Sequence, residues 1–185
     1  MRTYGKNWKN NTPSSARDRA IRTDVEWDVR IDITDAFTLD DLMKNVGTIL
    51  PDTDYIFISG VERPGSRKYD SKQNHVHIAV IFITPRKRFD VLKAFMGYAD
   101  KTDQYAVPRN RRWTYAGWII HHMKTQEKVD GVSIHFEKGV LPLDPFTEKT
   151  AKEVKNRLKA FGCDESRIRF NHYLDYLSVE DSCLS

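Results

Sequence analysis

Cysteine is scarce in this chain, with only Cys163 and Cys183 near the C-terminal end. Two thiols so placed make neither a disulfide framework nor a CxxC zinc site, so a reducing compartment is the expectation. Long apolar runs are missing too, and nothing approaches the ~20 residues of a membrane span. The first residues are polar and do not read as a secretory signal. No GxxxxGK[ST] loop occurs, which excludes a Walker-type nucleotide site, and no internal repeat is visible. The charge excess is small: 30 Lys and Arg against 26 Asp and Glu, a formal +4, with a pI near 9.0. That balance permits a nucleic-acid partner without requiring one. What is present is a chain of 185 residues with 39% hydrophobic side chains, enough for one domain with a real core.

Residues 1–24 are basic and polar, carrying Arg2, Lys6, Lys9, Arg17, Arg19 and Arg22 without apolar periodicity. They read as a disordered arm, or as an arm that touches phosphates. From Trp27 to Ile33 apolar and polar residues alternate, so Trp27, Val29, Ile31 and Ile33 share one face and Asp28, Arg30 and Asp32 the other. Leu39, Leu42, Met43, Val46 and Leu50 recur at helical spacing before Pro51. Tyr55–Val61 reads as a strand, residues 63–74 as a basic loop, and Asn74–Ile83 as another strand. Phe89 to Met96 suggests a short helix, Pro108–Arg112 a basic turn, and Trp113 to about Gln126 a helix. Val132, Ile134 and Phe136 mark a strand, and Ala151, Val154, Leu158 and Phe161 mark a later helix. This order predicts an α+β fold, a central antiparallel sheet of about five strands flanked by helices. The expected division is a domain over 25–140 and a helical extension over 141–185.

The strand Asn74-His75-Val76-His77-Ile78-Ala79-Val80-Ile81-Phe82-Ile83 holds the main lead to function. Side chains alternate across a strand, so His75 and His77 face the same way, near enough to share one ion. Beyond the histidines both faces are apolar, which places this strand centrally in a covered sheet. The preceding strand ends Ser59-Gly60-Val61-Glu62. If the two pair antiparallel, Glu62 falls beside the histidines. Two imidazoles and a carboxylate leave open positions and suit Mn²⁺ or Mg²⁺, with Zn²⁺ also compatible.

Tyr55-Ile-Phe-Ile-Ser-Gly-Val-Glu62, a Pro-Gly loop, then His75-Val-His77-Ile-Ala-Val resembles the second motif of HUH endonucleases. The nearest likeness is to the replication initiators of small circular single-stranded DNA viruses and related plasmids, over roughly residues 27–130. The resemblance implies a five-stranded antiparallel sheet, with metal held by Glu62, His75 and His77. It also implies nicking and joining of single-stranded DNA at an origin stem-loop to start rolling-circle replication. A viral source would place the protein in the host nucleus, any other in the cytoplasm, with no membrane partner and a homo-oligomer allowed. The family's first motif ends in a segment like Phe-Thr-Leu, but Phe37-Thr38-Leu39 opens a helix here.

The family's third motif has a nucleophilic tyrosine three residues before a lysine, on a helix facing the metal. Here that spacing is filled by His121-His122-Met123-Lys124, and Tyr115 lies six residues before His121. Three readings stay open. Tyr115 is the nucleophile with the helix shifted in register, His121 replaces it, or there is no side-chain nucleophile. In the last case the metal activates water, or the domain is a non-catalytic nucleic-acid binder that lacks the tyrosine. Lys124 would offset phosphate charge. Arg63, Arg67, Lys68 and Lys72 on one side, and Arg109, Arg111 and Arg112 on the other, are candidate DNA contacts. Tyr69, Tyr105 and Trp113 among them are candidates for base stacking. His135 and His172 receive no role.

Overall fold

The first strand is longer than the alternation from Trp27 to Ile33 indicates, and its pairing shifts register between Asp24 and Glu26. β1 runs Thr23–Ile33, followed by α1, Leu39–Ile49. β2 is Thr53–Ser59, β3 is Asn74–Lys87, and α2 is Arg88–Met96. β4 is Tyr105–Pro108, α3 is Tyr115–His122 and β5 is Ile134–Gly139. The computed structural model describes residues 23–65, 72–97, 105–123, 127–142 and 144. The arm over 1–24 lies outside these residues, except that Thr23 and Asp24 open β1. The later helix around Ala151–Phe161 lies outside them altogether.

The strands form an antiparallel sheet in the order β4-β1-β3-β2-β5. This is the α+β architecture expected from the element order, with the histidine strand β3 in the middle. A strand buried on both faces must find apolar cover on each. On one face Val29, Ile31, Ile58, Val76, Ile78 and Val80 pack under α1 and α2. On the other, Tyr55, Phe57, Ala79 and Ile81 meet Ala116, Ile119 and Ile120 of α3. Each fully buried aliphatic side chain contributes about 1.5–3 kcal/mol.

Local signals fix the ends of these elements. Thr38 caps α1: its hydroxyl accepts from the Asp41 N–H at 3.2 Å, and the Asp41 carboxylate accepts from the Thr38 N–H at 3.1 Å. Gly97 ends α2 at φ 75°, a left-handed cap that glycine adopts without strain. Gly60 answers a different need. A Cβ there would stand 1.7 Å from the Val132 carbonyl oxygen, so only glycine lets that strand pass. β4 was not anticipated, because a four-residue strand ending in proline carries little periodic signal; at the sheet edge Pro108 leaves no central ladder bond unmade. α3 is shorter than Trp113–Gln126. Thr114 caps it, its hydroxyl accepting from Gly117 N–H at 2.8 Å, while the Asp144 carboxylate accepts from the N–H groups of Tyr115 and Ala116. Leu141 is buried against the α3 layer, so these first residues of the expected C-terminal extension belong to the sheet domain.

Candidate metal centre

The antiparallel β2–β3 pairing carries the chain past Ser59 so that Glu62 bridges to His75. Glu62 N–H donates to the His75 carbonyl at 2.7 Å, and His75 N–H returns a bond at 3.0 Å. Ser59 supports the neighbour, its hydroxyl accepting from His77 N–H at 2.9 Å. The backbone therefore presents the Glu62 carboxylate to both imidazoles. Glu62 Oε2 lies 3.4 Å from His75 Nε2 and 3.4 Å from His77 Nε2. Ligands bound to one ion at about 2.1 Å stand about 3.0–3.4 Å apart, so this spacing fits a shared cation. The remaining nitrogens are engaged in a way that leaves both Nε2 atoms aimed inward. His75 Nδ1 meets the Gln73 carbonyl at 3.1 Å, and His77 Nδ1 meets the Tyr105 hydroxyl at 3.5 Å.

Electrostatics favour the ligand protonation states. Burial pushes the Glu62 carboxyl up, but the hydrogen bonds to His75 and His77, with the charges of His77 and Lys128, outweigh it and hold the group well below its ordinary value. Burial and the neighbouring His122 lower His77 to about 4, against the opposing pull of Glu62 and Asp28. A neutral imidazole beside an ionised carboxylate is the donor set a divalent ion requires. Lys128 is part of the same site. Its fully buried ammonium sits 2.5 Å from Glu62 Oε1 and 2.9 Å from the His122 carbonyl. It neutralises one carboxylate oxygen and leaves the other to the histidines.

The sheet also brings up groups the sequence did not single out. Arg30, opposite His77, and Asp28, opposite Ala79, share the histidine face of the sheet. Asp28 Oδ1 lies 3.3 Å from His122 Nε2, and the His122 ring stacks on His77 at 4.8 Å between centroids. Burial raises the Asp28 pKa, and the surrounding imidazoles of His122, His77 and His121 more than reverse it. The helix residue facing the site is thus His122. His121 packs its ring against Trp113 at 4.6 Å and against His122 at 5.4 Å, and does not stack on His77 as His122 does.

Tyr115 is held elsewhere on the same face. Its hydroxyl donates a short bond to Glu26 Oε1, and the Arg109 guanidinium lies 4.0 Å from its ring centre. Glu26 pairs with Ile81, four residues along β3 from His77, about 13 Å away at strand rise. Burial, with the bond to Glu26 and that residue's charge, raises the Tyr115 pKa, which opposes formation of a phenolate. Arg109 is buried and ion-paired to Glu26 at 2.9 Å, so it is a structural cation and not a free phosphate contact. Arg111 pairs with Asp24 at 3.0 Å, although its side chain remains 63% exposed. Arg63, Lys72 and Arg112 are exposed. Arg67, Lys68, Tyr69 and Lys124 lie outside the described residues.

Asp28, His122 and Lys128 were given no role by sequence reasoning, and Tyr105, read as a base-stacking candidate, has its hydroxyl at His77 Nδ1. Only Asp28 had a usable signal, the alternation of β1 that put it on the polar face. No family model matches the chain, and no curated protein and no solved structure matches it. The chemistry therefore rests on the geometry of these side chains.

Proposed function

We propose that the protein is a divalent-metal-dependent domain that nicks single-stranded DNA. The observation that carries this reading is the convergence of Glu62 Oε2, His75 Nε2 and His77 Nε2 within 4.8 Å of one another. A divalent ion held there would act as a Lewis acid toward a phosphate oxygen and toward water. His75 and His77 would hold such an ion from the central strand, and Lys128 holds the Glu62 carboxylate through Oε1. The DNA part of the reading is supported by the resemblance of Tyr55–Val80 to HUH endonucleases and by exposed Arg63, Lys72 and Arg112.

The geometry bears on the attacking group. With Tyr115 bonded to Glu26 and His121 packed on Trp113 and His122, this proposal assigns the attack to neither. Water is accordingly the nucleophile in this proposal. That makes nicking a hydrolysis, without the covalent adduct that joining needs.

The test is to incubate the protein with a single-stranded hairpin oligonucleotide and Mn²⁺. Metal-dependent nicks with no protein–DNA adduct, abolished in His77→Ala and retained in Tyr115→Phe, are expected. An adduct lost in Tyr115→Phe would overturn the water route. Salt-sensitive binding without cleavage under Mn²⁺, Mg²⁺ or Zn²⁺ would favour the second reading, a non-catalytic nucleic-acid-binding domain. What favours that second reading now is that Tyr115 is bonded to Glu26, while the Tyr105 hydroxyl that does reach the site meets His77 Nδ1.

A further inference from the structure

His77 belongs to a second group of converging ligands. Asp28, His77 and His122 also bring one donor atom each to within 4.8 Å of one another. Asp28 comes from β1, His77 from β3 and His122 from α3, so the group spans the seam between sheet and helix. His122 is only 2% exposed; its Nε2 faces Asp28 Oδ1 at 3.3 Å, while its Nδ1 has no hydrogen-bond partner among the described residues. A buried imidazole nitrogen left unsatisfied beside a buried carboxylate calls for an explanation. The separation of 3.3 Å between Asp28 Oδ1 and His122 Nε2 again equals that of neighbouring ligands on one ion.

We propose that Asp28, His77 and His122 form a second seat for a divalent cation, overlapping the first. It takes ions that accept mixed imidazole and carboxylate ligation, such as Zn²⁺, Co²⁺ or Mn²⁺. Because His77 Nδ1 faces Tyr105, Nε2 is the nitrogen available to both seats, and the two exclude each other. One ion is therefore held at either of two positions with His77 common to both. The charge environment differs between them. Glu62 already shares an oxygen with the Lys128 ammonium, whereas Asp28 is faced by imidazoles. An ion on the second seat also ties α3 to the sheet. The inference goes beyond the DNA reading and needs no nucleic acid to be tested.

The experiment is a Co²⁺ titration followed by visible absorption and by calorimetry, without DNA. Wild type binds a single ion. Glu62→Gln and, separately, His75→Gln empty the first seat and are expected to keep one ion, with affinity reduced about tenfold. Adding Asp28→Asn or His122→Gln to either background is expected to abolish binding. Loss of binding in both Glu62→Gln and His75→Gln alone would overturn the second seat while leaving the first intact. Binding that survives in the double variants would equally overturn it, and no binding in wild type would overturn both seats. Thermal melts confirm that each variant is folded, and the two first-seat variants serve as checks on each other.

Discussion

Replacing Lys128 by methionine keeps the apolar stem of a fully buried side chain and removes only its charge. The ammonium lost lay 2.5 Å from Glu62 Oε1, and Glu62 itself is 5% exposed. Removing one partner of a buried ion pair leaves an uncompensated charge and costs about 3–5 kcal/mol. A domain of this size loses about 4 °C of Tm per kcal/mol, so metal-free Lys128→Met should melt about 12–20 °C below wild type. A cation that binds only the folded state stabilises it by about 2.7 kcal/mol at a hundred times its dissociation constant. Mn²⁺ at that excess should therefore restore about 10 °C. The restoration should exceed the gain Mn²⁺ gives wild type at the same concentration, because the ion no longer shares Glu62 with an ammonium. The assay is a circular-dichroism melt with chelator and with Mn²⁺. A loss under about 4 °C in chelator would refute the reasoning, since Glu62 would then be solvated well enough to need no counter-charge.

Tyr115→Phe removes the bond to Glu26 and should cost about 1–3 kcal/mol in urea unfolding, with cation affinity unchanged. Arg109→Ala breaks a buried pair with Glu26 and should lower Tm by about 10 °C or more, whereas exposed Arg112→Ala should weaken single-stranded DNA binding in filter assays with Tm unchanged. The pH dependence follows from His77, whose folded value of about 4 lies below its ordinary 6.5. Between those values the unfolded chain binds more protons than the folded one. Metal-free stability is therefore full above pH 6.5 and falls as the pH drops toward 4, by about 3 kcal/mol in all. Denaturant titrations at pH 7.5, 5.5 and 4.5 check the sign; stability that rises on acidification contradicts it. Gly60→Ala should destabilise strongly, as the added methyl meets the Val132 carbonyl.

The parts of this fold that could be read from the sequence are those set by strict periodicity. Alternation from Trp27 to Ile33 gave both faces of β1, and the His-x-His spacing placed two imidazoles on one side of β3. A hairpin then has only one way to return Glu62 to them. Helix phase was harder, because each residue turns the helix by about 100°. The cap at Thr114 sets that phase, and His122 rather than His121 or Tyr115 meets His77. Pairings between distant charges left no local trace. Glu26 with Tyr115 and Arg109, and Lys128 with Glu62, join residues from different elements. A lysine after a helix ordinarily reads as surface, and only the folded sheet shows that this one is interior. β4 escaped notice because four residues give alternation too little length.

The account turns on His77 as the side chain that any bound cation must touch. Its most direct measurement is calorimetric titration of Mn²⁺ into wild type and His77→Ala, both shown by circular dichroism to be folded. One ion bound to wild type and none to His77→Ala is the predicted result. Equal binding to both, or none to wild type, would contradict it.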